Sequence, residues 1–292
     1  METTLTEELL RTLENRQVTV GSIDGITLPQ FTADNWDTIQ NFQAREDDVV
    51  IVTYPKSGTT WMQEVVDLVL LEGDMERSVR VPCFIKVPFI EMVGLKSMPS
   101  AVELADKMES PRRIKTHLPT QLIIYLARNA KDCLVSYYYF HKMNKGLPDP
   151  GTWDDFFSSF LSGDILWGSW FDHVIGWWKA VDKHRILYVF YEDMIEDPKR
   201  EVIKVMKFLG KDLSDDVVER IVDHTTFKAM KENPMANYSI LPKAAFDQTI
   251  SPFIRKGIVG DWKNHFSVAQ NMIFDEEYKK RLEGSDLTFR TE

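Results

Sequence analysis

Continuous apolar runs, each bounded by charge or by a turn signal, predict the strands of this chain. The segment Asp48-Val-Val-Ile-Val-Thr53 is β-branched and uninterrupted, which predicts a buried strand. After a turn at Tyr54–Thr59, apolar residues recur at helical spacing from Trp61 to Leu71. Nearer the N-terminus, the pattern predicts a short amphipathic helix at Thr6–Leu13 and a small hairpin at Val18–Leu28.

Two later segments repeat this order of strand and helix. Ile123–Ala127 precedes a helical, aromatic segment at Cys133–Met143, and Arg185–Phe190 precedes a helix at Lys199–Leu209. Such alternation is typical of a parallel sheet covered by helices. Because no linker rich in Gly, Pro or Ser divides the chain, we expect one α/β domain over residues 1–292, with a central parallel sheet flanked by helices.

Composition and charge narrow the class of protein. The chain has 292 residues and a net charge of −10 without a long Lys/Arg cluster, which argues against a nucleic-acid binder but not against a small anionic ligand. Its cysteines, Cys83 and Cys133, lack the spacing of a disulfide framework or a zinc site. The strongest apolar run, Val65–Leu71, is too short to span a bilayer, and the first residues lack the apolar stretch of a secretory signal. We therefore expect a cytoplasmic protein with neither a nucleic-acid nor a membrane partner.

The turn after the first buried strand has the composition of an anion-binding loop. It reads Thr53-Tyr-Pro-Lys-Ser-Gly-Thr-Thr-Trp61 and lies where an open parallel sheet binds ligands. Gly58 permits close approach of the backbone, and Lys56 adds a positive charge near the helix N-terminus. The loop lacks the first glycine of the nucleotide triphosphatase motif, and its lysine precedes its glycine. Hydroxyl groups come from Ser57, Thr59 and Thr60.

Motifs along nearly the whole chain resemble those of the cytosolic sulfotransferases, in the family's order, and the phenol (aryl) branch is the most similar. Besides the P-loop-like turn, the motifs are Lys115-Thr-His-Leu-Pro119, Ala127-Arg-Asn-Ala-Lys-Asp132, Ser136-Tyr-Tyr138, Gly168-Ser-Trp170, Phe190-Tyr-Glu-Asp193, Asn233-Pro-Met235 and Arg255-Lys-Gly257. The resemblance implies transfer of a sulfuryl group from 3′-phosphoadenosine 5′-phosphosulfate (PAPS) to a small hydroxylated acceptor, in particular a phenol. Adenosine 3′,5′-bisphosphate (PAP) is then the second product, and no metal is needed.

The resemblance also assigns roles to individual residues. His117 is the base that takes the acceptor proton, Lys56 stabilises the leaving group, and Lys115 and Ser136 assist. A neutral imidazole suits proton abstraction near pH 7. The residues implied for the donor nucleotide are Lys56, Ser57, Gly58, Thr59, Thr60, Trp61, Arg128, Ser136, Tyr191, Thr225, Thr226, Phe227, Phe253, Ile254, Arg255, Lys256 and Gly257. Among these, the resemblance assigns Arg128, Ser136, Arg255, Lys256 and Gly257 to the 3′-phosphate, and Trp61, Tyr191, Thr225, Thr226 and Phe227 to the adenine. Those implied for an aromatic acceptor pocket are Phe31, Phe84, Phe89, Lys115, His117, Phe140 and Tyr238.

One departure from the family concerns its dimer motif, which reads Lys, three residues, Thr-Val, three residues, Glu. Here the motif begins at Lys263, but Ser267 replaces the Thr and Met272 replaces the Glu. A contact between Lys and Glu across a two-fold axis is therefore lost in its usual form. We expect a weak or altered homodimer.

A second departure is a short connector between two predicted strands. The functional ends at His117 and Arg128 must lie at one sheet edge, so the two strands should be parallel neighbours. Only Leu118–Leu122 intervenes, whereas a parallel crossover needs a dozen or more residues. We therefore predict that residues are missing between about Leu118 and Ile124.

Two other functions fit part of the pattern. An ATP-dependent small-molecule kinase would use the same strand, loop and helix, but it would need a Gly-Lys-Ser/Thr motif and an acidic metal site, and neither is evident. A catalytically weak or inactive nucleotide-binding member of the fold agrees with the short connector. The presence of Lys56, His117 and Ser136 favours an active enzyme.

Overall fold

The computed structural model describes residues 19–93, 100–116 and 122–292. The strands in these ranges are β1 (Val20–Ile23), β2 (Ile26–Pro29), β3 (Val49–Thr53), β4 (Arg113–Thr116), β5 (Leu122–Ala127) and β6 (Arg185–Phe190). The helices are α1 (Gln30–Ala33), α2 (Trp36–Gln40), α3 (Thr59–Leu70), α4 (Met75–Ser78), α5 (Cys83–Lys86), α6 (Ala101–Asp106), α7 (Ala130–Met143), α8 (Trp153–Ser162), α9 (Trp170–Ala180), α10 (Tyr191–Glu196), α11 (Pro198–Phe208), α12 (Asp215–His224), α13 (Phe227–Glu232), a 3₁₀ turn (Asp261–Asn264) and α14 (Val268–Arg281).

The central sheet consists of parallel strands in the order β4-β3-β5-β6. The predicted α/β fold with a central parallel sheet flanked by helices is therefore confirmed. The prediction that the two strands joined by the short connector are neighbours is wrong, because β3 lies between β4 and β5: Val50 pairs with Ile114 on one side and with Ile123 on the other. All five residues of β3 are buried, and such an apolar strand is stable where both its edges and both its faces are covered.

Helices cover both faces of the sheet. Successive strand residues point to opposite faces, so the apolar residues of a strand need a cover on each face. On one face, Ile51 of β3 belongs to a buried cluster with Leu68 of α3. On the other face, Val52 belongs to a cluster with Phe160 of α8 and Trp170 of α9. No helix within the described ranges is long and apolar enough to cross a membrane.

Two predicted helices begin earlier than their apolar pattern indicates. α3 starts at Thr59 after Gly58, whose φ is +104°. α7 starts at Ala130, because the side chain of Asn129 caps it by accepting a hydrogen bond from the amide of Asp132 at 2.9 Å. The first turn of each helix contains polar residues. The apolar periodicity therefore starts only after this turn and places the start of the helix too late. The predicted hairpin is present as β1 and β2, whereas the segment predicted as helix at 6–13 lies outside the described residues.

Candidate active site

The carboxyl end of the central strand leads into the loop that the sequence predicts to bind an anion. Gly58 has a positive φ, and a Cβ atom there would lie 2.8 Å from Cδ2 of Tyr191, so only glycine fits. The hydroxyls of Thr53 and Thr59 hydrogen-bond at 2.7 Å across the loop. The loop therefore directs the first amides of α3 toward the carboxyl edge of the sheet, where a helix N-terminus attracts an anion.

Lys56, in the middle of this loop, lies among aromatic rings and other cations. Its Nζ is 4.4 Å from the ring centre of Phe140 and 4.1 Å from that of Phe253. Burial, and then the positive charges of Lys115, Arg128 and Arg255, lower the pKa of Lys56 to about 7. Since these charges repel one another in the free protein, an anion among them would be strongly attracted.

Arg128 follows the end of β5 and reaches back to the loop. It is 6% exposed, its guanidinium lies 4.3 Å above the ring of Tyr191, and it donates to the carbonyl of Lys56 at 3.3 Å. It also donates to the carbonyl of Ile258 at 3.3 Å, and its Nε is buried without a hydrogen-bond partner. A guanidinium held by two weak backbone contacts can still bind a phosphate through its remaining N–H groups.

A small cavity adjoins the Lys56 side chain, and it collects residues from three separate segments of the chain. Ser136 of α7 and Arg255 both line it, as the sequence predicts for a phosphate site. The full lining is Lys56, Ser136, Tyr139, Phe140, Met143, Ser251, Pro252, Phe253 and Arg255.

The residues predicted to hold an adenine lie in two groups. Trp61 meets Tyr191 edge-to-face, with ring centres 5.6 Å apart. Phe227 lies against Gly257, where a Cβ atom would come within 2.1 Å of the ring. Beside Phe227, Thr226 caps α13 through the amide of Ala229. Thr225 is buried and donates its hydroxyl to the carbonyl of Ile221 at 2.8 Å. Of the other residues predicted for the donor, Ile254 is half-buried and Lys256 is exposed.

Three of the predicted acceptor residues, Phe84, Phe140 and Tyr238, join Phe253 in one aromatic cluster beside Lys56. Ring centres lie 5.5 Å apart for Phe84 and Tyr238, 4.2 Å for Tyr238 and Phe253, and 5.9 Å for Phe253 and Phe140. Sequence reasoning placed Phe253 on the donor side, and it missed Phe246, which stacks on Tyr238 at 5.7 Å. Phe246 lies in a stretch without regular secondary structure, so no periodicity could have identified it.

Two of the remaining acceptor residues, Phe89 and Lys115, meet at β4. The Nζ of Lys115 is 4.1 Å from the ring centre of Phe89, and burial lowers the pKa of Lys115. Phe31 is half-buried in α1, so its place in the pocket stays a prediction. His117 lies outside the described residues. Thr116, the residue before it, pairs with Val52, so β4 ends close to the point where β3 enters the loop.

Within the described ranges, no group of three or more His, Cys, Asp or Glu side chains could hold a metal ion. The two cysteines are free and buried, and burial raises the pKa of each to about 12. The hydroxyl of Ser57 and the thiol of Cys133 are hydrogen-bonded at 3.4 Å, and this contact joins the loop to α7. The chemical groups that the described residues bring to this site are therefore cations, hydroxyls and aromatic rings.

Comparison with known proteins agrees with this arrangement. The sequence model described as "Sulfotransferase domain" matches residues 46–286, most of the chain. This chain belongs to the sulfotransferase family. Sulfotransferase 1C2 of Rattus norvegicus is 53% identical to it over 286 residues, covering 94% of this chain and 96% of the relative. Sulfotransferase 1A1 of Bos taurus is 48% identical over 281 residues, covering 92% of this chain and 95% of the relative.

Solved structures are similar over almost the whole length of this sulfotransferase. Mouse sulfotransferase SULT7A1, solved with PAP, is 32% identical, with a TM-score of 0.74 and coverage of 91% of this chain and 95% of that chain. Retinol dehydratase, solved with retinol and PAP, has a TM-score of 0.85 at 23% identity and covers 97% of this chain and 96% of that chain. The second likeness supports the fold alone.

The short connector of this sulfotransferase lies outside the described residues. The alignment with the rat relative is 286 residues long but covers only 94% of the 292-residue chain, so the relative has residues without a counterpart here. This difference agrees with the prediction of missing residues between about Leu118 and Ile124. That these residues belong between about Leu118 and Ile124 stays a prediction.

The segment with the altered dimer motif is on the surface of this sulfotransferase. Lys263 forms an ion pair with Glu292 of the same chain. Ser267 caps α14 in a capping box with Gln270, and Met272 is 60% exposed. The Lys that the family motif would direct at a partner is thus engaged within the chain, which supports the expectation of a weak or altered dimer without testing it.

Proposed function

We propose that this sulfotransferase moves the sulfuryl group of PAPS to the hydroxyl of a small phenol and releases PAP. The observation that carries the proposal is the convergence of Lys56, Lys115, Arg128 and Arg255 at one sheet edge of a protein whose net charge is −10. A polyanionic nucleotide would relieve the repulsion among these cations. PAP in the solved structure of mouse sulfotransferase SULT7A1, which is 32% identical to this chain, supports the same choice of ligand.

The reaction would be an in-line displacement. The acceptor oxygen forms a bond to sulfur while the bond from sulfur to the phosphate oxygen of PAP breaks, and His117 takes the acceptor proton. Lys56 stabilises the charge that develops on the leaving phosphate, with Lys115 and Ser136 in support. Phe84, Phe140 and Tyr238 would receive a flat aromatic acceptor, since aromatic rings favour offset or edge contacts.

Two further parts of the proposal concern the whole protein. We propose that residues 1–292 form one sulfotransferase domain, with the family match over 46–286 in support. We also propose a cytoplasmic location, because buried, free cysteines are compatible with a reducing compartment.

The test is transfer of radiolabelled sulfate from PAPS to a panel of phenols, catechols, iodothyronines, steroids and primary alcohols. We expect product with phenols and thermal stabilisation by PAP. Stabilisation by ATP with Mg²⁺ instead of PAP would point to a kinase and contradict the proposal.

A second candidate is a member of the family that binds the nucleotide but transfers sulfate poorly. The short connector beside His117 favours it. Stabilisation by PAP without turnover of any acceptor in the panel would identify this case, whereas turnover would exclude it.

A further inference from the structure

One buried carboxylate joins the two segments that supply cations to the candidate nucleotide site. The first segment contains Arg128, at the end of β5. The second is Arg255–Trp262, here called the cationic loop. Asp132 lies in the first turn of α7, four residues after Arg128, and is 1% exposed.

Asp132 binds the cationic loop through two backbone amides. Its Oδ2 accepts from the N–H of Gly260 at 2.9 Å, and its Oδ1 accepts from the N–H of Trp262 at 3.0 Å. Oδ2 also accepts from Nδ2 of Asn129 at 2.9 Å. Hydrogen bonds to a carboxylate are stronger than those between neutral groups, so one side chain fixes both ends of a short backbone stretch.

The same residues tie the cationic loop to the end of β5. Asn129 donates its backbone N–H and its Nδ2 to Oε1 of Glu192, each at 2.9 Å. Arg128 donates to the carbonyl of Ile258. Asp132 does not line the cavity beside Lys56, so it would not contact a ligand bound there.

We propose that Asp132 is a positioning residue that holds the cationic loop against the end of β5 and thereby sets the preference for nucleotides with a 3′-phosphate. The inference rests on the proposed function and on the assignment, implied by the family resemblance, of Arg128 and Arg255 to the 3′-phosphate of the donor. Without Asp132, the loop would have to be ordered when the nucleotide binds, and ordering backbone opposes binding.

The direction of the change in PAP affinity distinguishes a positioning role of Asp132 from a purely electrostatic one. Asp132 carries a negative charge close to Arg128, whose pKa it helps to raise. Removing that charge would by itself strengthen the binding of a phosphate dianion. Loss of positioning would weaken it. The two explanations therefore predict changes in opposite directions.

The experiment is calorimetric titration of Asp132→Asn with PAP and with adenosine 5′-phosphate, which lacks the 3′-phosphate. The amide keeps the shape of the side chain but cannot accept from both loop amides. We expect PAP affinity to fall roughly 10- to 100-fold, the scale of one or two hydrogen bonds to a charged group, with adenosine 5′-phosphate affinity changed less than about 3-fold. Asp48→Asn is the matched control. Asp48 is buried to a similar extent, but it lies just before the N-terminal end of β3, whereas the candidate site is at the carboxyl end.

Each other outcome counts against the proposal or against its premise. Unchanged or tighter PAP binding by Asp132→Asn, or equal losses for both nucleotides, would overturn the role of Asp132. A wild-type protein that does not prefer PAP to adenosine 5′-phosphate would instead contradict the proposed donor site.

A measurement on the wild-type protein covers the case in which Asp132→Asn does not fold. Amide hydrogen exchange of Gly260 and Trp262 without nucleotide should be slow, because both N–H groups are hydrogen-bonded to Asp132. Fast exchange at both amides would show that the loop is not held before the ligand binds, and the proposal would be wrong.

Discussion

The affinity for PAP should depend on pH through Lys56. In the free protein, burial and then the charges of Lys115, Arg128 and Arg255 lower the pKa of Lys56 to about 7. A bound polyanion favours the ammonium form and raises this pKa again. Binding above pH 7 must therefore take up a proton. Affinity is fully present below about pH 7 and is lost as the pH rises through that value.

The magnitude follows from proton linkage. With a pKa of about 7 in the free protein and a value near the ordinary range in the complex, the Kd for PAP should rise roughly 50-fold between pH 7 and pH 9. The phosphates contribute little to this slope, because their second pKa is near 6 and they are already ionised. Calorimetry at pH 8 in two buffers of different ionisation enthalpy should detect the uptake of about one proton per PAP bound.

Two variants assign the effect to its source. Lys56→Met should bind PAP weakly at all pH values and lose the slope between pH 7 and pH 9. Lys115→Met should keep the slope but shift it to higher pH, because one of the charges that lower the pKa of Lys56 is gone. A flat pH profile in the wild-type protein, or a slope that persists in Lys56→Met, would refute the reasoning.

The remaining predictions concern catalysis, assembly and the connector. Lys56→Ala should remove most turnover and weaken PAPS binding, and near-normal rates would contradict the assignment. His117→Ala should keep PAP affinity but lower the rate by roughly 10²-fold or more, as loss of a general base does; an equal loss of PAP affinity would mean a structural role. Light scattering at micromolar concentration should find a weak dimer or none, and a tight dimer through 263–272 would be the contrary result. Mass mapping of the natural protein should find a peptide from Thr116 to Arg128 heavier than the sequence gives, and an equal mass would remove the case for missing residues.

The position of the predicted donor-binding group could be inferred from the sequence because of the way a parallel sheet is built. Its residues stand at strand ends: the loop follows β3, Arg128 follows β5 and Tyr191 follows β6. Parallel strands bring their carboxyl ends to one edge, so short motifs at those ends converge without further information. The order of the strands was the weak point, since the pattern of apolar residues identifies β3 as buried but not as the strand between β4 and β5.

The predicted acceptor-binding group was less predictable because its contacts come from irregular backbone. Phe246 and Phe253 lie in a stretch without helix or strand, and their neighbours are set by tertiary packing. Asp132 was visible only as part of a motif, because its partners are backbone amides of Gly260 and Trp262, and every residue but proline has such an amide. A sequence pattern cannot single out a partner that carries no distinctive side chain.

The contrast between net charge and site charge explains why an acidic composition does not exclude an anionic ligand. Surface charges are screened over roughly 8 Å at physiological salt, so the excess of acids acts weakly on a buried site. Lys56, by contrast, is close enough to Lys115, Arg128 and Arg255 for each to shift its protonation. The repulsion that costs the free protein stability is the same interaction that a polyanion would reverse on binding. An acidic protein can therefore bind an anionic ligand at a buried group of cations.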